Sequence, residues 1–98
     1  MEIDILNNHC NLSFGRYSNK NTSMVACEYS TGTPYKLITG NTLVRLKDSS
    51  HVAIRDSKYL IDDLINSNII CSKYVNEIEE NGNKLLVYKL TDNCINNM

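Results

Sequence analysis

No apolar run in this 98-residue chain comes near the roughly 18–20 residues needed to cross a bilayer. The opening stretch, MEIDILNNHC, carries acids where a signal peptide carries bases, and its apolar run is too short for one. A cytoplasmic protein is therefore expected, or one working in a host cytoplasm if it is viral, with no membrane partner. Repeats, linkers and low-complexity segments are missing, so residues 1–98 read as a single domain. A chain of this size buries a real core with little stability to spare.

The four cysteines, Cys10, Cys27, Cys71 and Cys94, lack the close spacing of a zinc knuckle or a redox pair. They are expected to be reduced, mostly buried thiols. Only two histidines are present, His9 and His51, too few for a metal site without a coincidence of folding, so neither metal nor cofactor is expected. His9 and Cys10 are neighbours and would point to opposite faces of a strand. Cys27 with His51 is the one conceivable thiol–imidazole pair, and no surrounding motif supports it. Glycines Gly32 and Gly40 are isolated turn residues, so no phosphate-cradling loop is present. These absences point away from an enzyme.

The net charge of −1 conceals a polarity. Residues 15–58 hold seven bases against three acids, while residues 59–98 hold three bases against six acids. The middle of the chain is basic and its end acidic, but the dense basic stripe of a dedicated nucleic-acid binder is missing. Fourteen asparagines and ten isoleucines against one proline indicate coding in an AT-rich genome, of the kind common in phages, plasmids and low-GC bacteria.

EIDIL alternates and is expected to be an opening strand, with NLSFGRY as its hairpin partner. Ser18 to Ser23 has no apolar anchor and is expected to be a mobile polar excursion. SMVACEYS should be a buried strand, Thr31–Pro34 a turn and YKLIT a short strand. TLVRLK and HVAIRD, joined by Asp48-Ser49-Ser50, read as a half-buried antiparallel hairpin with its bases on the wet face. In the next segment Leu60, Ile61, Leu64 and Ile65 form one helical stripe. Asp56 or Ser57 is its N-cap, Asp62 and Asp63 lie near its start, and Asn66 or Asn68 closes it in a left-handed cap. Asn81-Gly82 sets a two-residue hairpin turn that opposes Glu79 to Lys84, Ile78 to Leu85 and Val75 to Tyr88. TDNCINNM is expected to fray. The fold class is α+β: a small antiparallel sheet of about four to six strands, one helix packed on it, and a C-terminal β-hairpin.

Two surfaces are candidates for function. Glu77, Glu79 and Glu80 at the hairpin tip, with Asp62 and Asp63 on the helix, form an acidic set suited to a basic surface of a partner, although charge runs are commonly solvated faces. Arg45, Lys47, Arg55 and Lys58 on the hairpin 43–58 form the opposing basic set, with Tyr17, Tyr29 and Tyr35 in the same section as stacking residues for nucleic acid. The expected function is a small non-enzymatic protein-binding module, monomeric or homodimeric. A phage or mobile-element inhibitor of a host defence system (anti-CRISPR-like) or of a host enzyme is its expected form, with a host protein as partner. A nucleic-acid or nucleotide-binding module using the basic hairpin is the alternative.

Overall fold

The computed structural model describes residues 1–98. Its seven strands are β1 (Glu2–Ile5), β2 (Asn8–Arg16), β3 (Thr22–Glu28), β4 (Pro34–Leu37), β5 (His51–Arg55), β6 (Asn76–Glu80) and β7 (Asn83–Lys89). Helix α1 (Lys58–Asn66) follows β5, and a short helix α2 (Asp92–Asn96) ends the chain. All strand pairing is antiparallel, in two sheets ordered β1-β2-β3-β4 and β5-β7-β6. The α+β class is as the sequence implies; the strands, however, divide between two sheets instead of forming one.

One core of eighteen buried residues joins these layers. The first sheet contributes Ile5, Cys10, Leu12 and Met24, the second Val52, Ile54, Leu86 and Tyr88, and the helices Leu60, Leu64 and Cys94. Alternation does this sorting: Cys10 and Leu12 face inward while His9, Asn11 and Ser13 face water. Strands β5 and β7 are instead buried on both faces. Their other face carries a second cluster of Leu46, Ala53, Ile78, Leu85 and Val87.

Local chemistry sets the turns. Leu6 and Asn7 both have positive φ, 49° and 69°, which makes the β1–β2 connection a two-residue turn of the type that matches strand twist. Asn81 and Gly82, at 52° and 79°, do the same for β6–β7. The resulting register opposes Glu79 to Lys84 and Ile78 to Leu85 as the sequence predicts, and the ladder ends at Asn76–Val87, one residue short of Val75. Helix α1 buries Leu60, Ile61 and Leu64. It closes in a Schellman arrangement: Asn68 takes φ 60°, its N–H donates to the Ile65 carbonyl, and the Ile69 N–H donates to the Leu64 carbonyl.

Four expectations need correction. First, residues 42–47 are not a strand, and the hairpin 43–58 does not form. One side of β5 pairs with β7, and the other meets Thr39 and Gly40, so no ladder is left for 42–47. Second, the polar segment after β2 is an anchor: the Asn19 amide donates to the Thr42 carbonyl at 2.7 Å and the Asn21 amide to the Val44 carbonyl at 3.0 Å. Asparagine carries both donor and acceptor, and that holds a loop without apolar contacts. Third, α1 begins at Lys58, which leaves no acid in its first turn to meet the helix dipole. Fourth, the tail folds into α2, because the Thr91 hydroxyl accepts the Cys94 N–H at 3.1 Å and Cys94 is fully buried.

All four cysteines are free; Cys10 and Cys94 are buried, while Cys27 and Cys71 are partly open. Burial pushes the thiols of Cys10 and Cys94 up from their ordinary range. A thiol reagent on the native chain should therefore modify Cys27 and Cys71 only, with the other two reacting after unfolding. Mass spectrometry of the labelled chain checks this.

Candidate functional site

The segment 40–47 crosses the outer face of the second sheet, held there by side chains in place of a ladder. The Glu80 carboxylate accepts from the Thr42 hydroxyl at 2.5 Å and from the Leu43 N–H at 3.1 and 3.2 Å. Asn21 Oδ1 accepts from the buried Leu46 N–H at 2.8 Å. The Thr22 hydroxyl donates to the Ser49 carbonyl at 2.8 Å. The first sheet thus grips a segment that lies on the second.

The gap between this segment and the approach to β6 is a groove of about 390 Å³. Its apolar lining is Val44, Leu46, Val75, Ile78 and Val87. Val44 is 52% exposed and Val75 59%, so two aliphatic side chains of this one groove face water together. Arg45, Lys47 and His51 supply the charged and polar lining together with Asn76. No carboxylate lines the groove. The ion pairs of the fold join His9 to Asp4, His51 to Asp48, and Lys84 to both Asp56 and Glu77; Arg45 and Lys47 enter none of them.

His51 opens β5 and is almost wholly buried. Its Nδ1 lies 2.9 Å from Asp48 Oδ1, and the Ser50 hydroxyl and N–H both donate to the same oxygen. These contacts, the Ser50 hydroxyl first, hold the Asp48 carboxyl well below the usual carboxylate range. Although Asp48, Ser50 and His51 are the residue types of a hydrolase triad, the hydroxyl sits on the Nδ1 side, against the carboxylate, and not at Nε2 where a base would activate it. The arrangement orients the ring, and Ser50 does not stand where the ring would activate it.

A pH dependence follows from it. The folded state favours ionised Asp48, so the unfolded carboxyl takes up its proton first, near the ordinary pKa of about 3.9. The contribution is present above that pH and is lost as the pH falls below it through the folded value. Asp48→Asn should therefore be less stable than the unmodified chain at neutral pH. The gap should narrow on acidification below about pH 4, measured by denaturant titration across pH.

The sequence-derived sites are divided by the fold. In the acidic set, Glu80 is bonded to residues 42 and 43, Asp63 accepts the Leu6 N–H at 2.9 Å, and Glu77 lies 3.6 Å from Lys84. Only Asp62 and Glu79 stay exposed without such contacts. In the basic set, Arg45 and Lys47 line the groove together, while Arg55 lines a separate, more polar depression beside Glu80, and Lys58 starts α1. Tyr17 bonds to Thr39, Tyr29 lies tilted against the His9 ring and Tyr35 bonds to Asn8, so none of the three stands with Arg45 and Lys47. Cys27 and His51 line different depressions. No three metal-ligating side chains converge, and no helix is long and apolar enough to cross a membrane.

Sequence reading missed Val44, Val75, Ile78 and Val87 as site residues, because apolar side chains on strands read as core. Asn21, which positions the groove wall, carried no signal beyond its polarity. No protein-family model, curated protein or solved structure matches the chain.

Proposed function

We propose that the chain is a small non-enzymatic protein-binding module and that the groove between residues 44–47 and 75–78 is its working surface. One observation carries this reading: a concave apolar site with two exposed valines, walled by a segment that side-chain hydrogen bonds hold in place. Anchoring of that kind pre-organises a surface and lowers the ordering cost of binding. The AT-rich coding bias and small size support the specific form, a phage or mobile-element inhibitor of a host defence system (anti-CRISPR-like) or of a host enzyme, acting in the host cytoplasm. The acidic set contributes less to this reading than the sequence suggests, since three of its five members are engaged within the fold.

The double variant Val44→Gln, Val75→Gln should fold with stability within about 0.5 kcal/mol of the parent, because both sites are surface positions. It should lose the partner. Affinity capture with mass spectrometry, run side by side on parent and variant, tests this; a protein held equally by both removes the groove from the account.

Nucleic-acid binding retains Arg45 and Lys47, which share the groove without an acid partner. A salt titration decides it: a steep slope that Arg45→Ala flattens would favour that reading.

A further inference from the structure

We infer that the groove takes an extended, acidic segment of a partner protein, which seats one aliphatic or aromatic side chain between Val44 and Val75 and lays carboxylates against Arg45 and Lys47. The inference rests on the protein-binding reading above and names the chemistry of the partner.

Charge complementarity is its first support. Arg45 and Lys47 both line the groove, no carboxylate lines it, and neither base is neutralised by an ion pair. Two acids beside the segment 42–47 are engaged within the fold. Asp48 Oδ1 is held by Ser50 and His51, and Glu80 is held by Thr42 and Leu43. A chain with net charge −1 thus presents a locally cationic apolar site. A nucleic acid suits it less well, since two bases and an aliphatic floor without an exposed aromatic platform offer little to phosphates and bases.

The second support is the free nitrogen of His51. Asp48 is ionised and can only accept, so the Nδ1 contact at 2.9 Å requires the ring proton on Nδ1. Nε2 is then the ring's second polar atom, an acceptor in the neutral imidazole and a donor in the imidazolium. No buried side-chain nitrogen or oxygen lacks a partner in this fold, and Nε2 has none, so Nε2 is open rather than sealed. His51 lines the groove, so its open Nε2 is a polar contact available to an occupant. Each residue of an extended peptide brings a main-chain N–H and a C=O, so either state of that nitrogen finds a partner. Apolar floor, flanking cations and one oriented imidazole together describe a peptide site.

Random-peptide phage display on the full chain, followed by fluorescence anisotropy of the selected peptides, tests the inference. The selected peptides should be acidic and carry one large apolar residue. Replacing their Asp and Glu by Asn and Gln should weaken binding about tenfold or more, and Arg45→Ala with Lys47→Ala should do the same to the unaltered peptides. His51→Phe should weaken them further without altering the preference for acids. Neutral or basic peptides that bind, and that Val44→Gln, Val75→Gln abolishes, would overturn the acidic assignment while leaving the groove reading intact. Selected peptides indifferent to that double variant would overturn both. A labelled single-stranded DNA oligonucleotide that displaces the peptides, and loses binding in the Arg45 and Lys47 variant, would transfer the site to nucleic acid.

Discussion

Asn21→Ala is expected to destabilise the chain by about 2–3 kcal/mol and to open the groove wall. Asn21 is 5% exposed, and its side chain is the sole partner of the Leu46 N–H and of the Val44 carbonyl. Leaving a buried backbone donor unpaired costs about 1–3 kcal/mol, and a lost ordinary hydrogen bond adds about 0.5–1.5 kcal/mol. The carbonyl of half-exposed Val44 is re-solvated more cheaply than the N–H of buried Leu46, so the penalty falls mainly on Leu46. In a domain of this size each kcal/mol lowers Tm by roughly 4–8 °C. Calorimetry measures the total. Amide exchange supplies the specific readout: Leu46 and Leu43 should lose protection out of proportion to the β2–β3 ladder. A uniform rise in exchange, or a change under about 0.5 kcal/mol, would mean that Asn21 is not what holds residues 44–46.

Leu64→Ala should cost more, about 2–5 kcal/mol, the range for emptying a well-packed leucine site. Leu64 is fully buried in the shared core, and its carbonyl accepts the Ile69 N–H that closes α1. The removed side chain leaves a void in the shared core that the surroundings fill only in part. Total stabilities run at about 5–15 kcal/mol, so the variant could lose a third or more of its reserve. Urea titration should show a lower midpoint with an unchanged slope. Ile65→Ala, at the half-buried edge of the same stripe, should cost clearly less. Equal costs at the two positions would contradict the placement of the helix.

The contrast between these residues shows what the sequence made legible. Leu64 and its stripe, the Asn68 cap and the Asn81-Gly82 register are local signals, each resting on periodicity or on backbone conformation within a few residues. They are read without knowing the rest of the fold. Residues 42–47 alternate like a strand; the alternation places Leu46 inward with Arg45 and Lys47 outward, but fails at Val44, which is exposed. Whether such a segment joins a ladder depends on a free edge, and the edge of β5 is taken by Thr39 and Gly40. Competition of that kind is long-range and has no local mark. The acidic residues tell the same story: Asp63 and Glu80 look like solvated charge, yet each receives a backbone N–H from a segment distant in sequence. The groove was illegible for a related reason, since an apolar floor at a surface has the same residue types as an apolar floor in a core.

A photoreactive residue placed at Val75, or in a second variant at Leu37, tests the central claim most directly. Both side chains are aliphatic and 59% exposed; Val75 lines the groove, and Leu37 lies on β4 at the edge of the first sheet. Irradiation in lysate of the cells that naturally carry the gene should give a discrete adduct from position 75 and none from position 37. That adduct should disappear when Arg45 and Lys47 are replaced by Ala. An adduct formed from position 37 alone would move the binding surface to the first sheet and contradict the account.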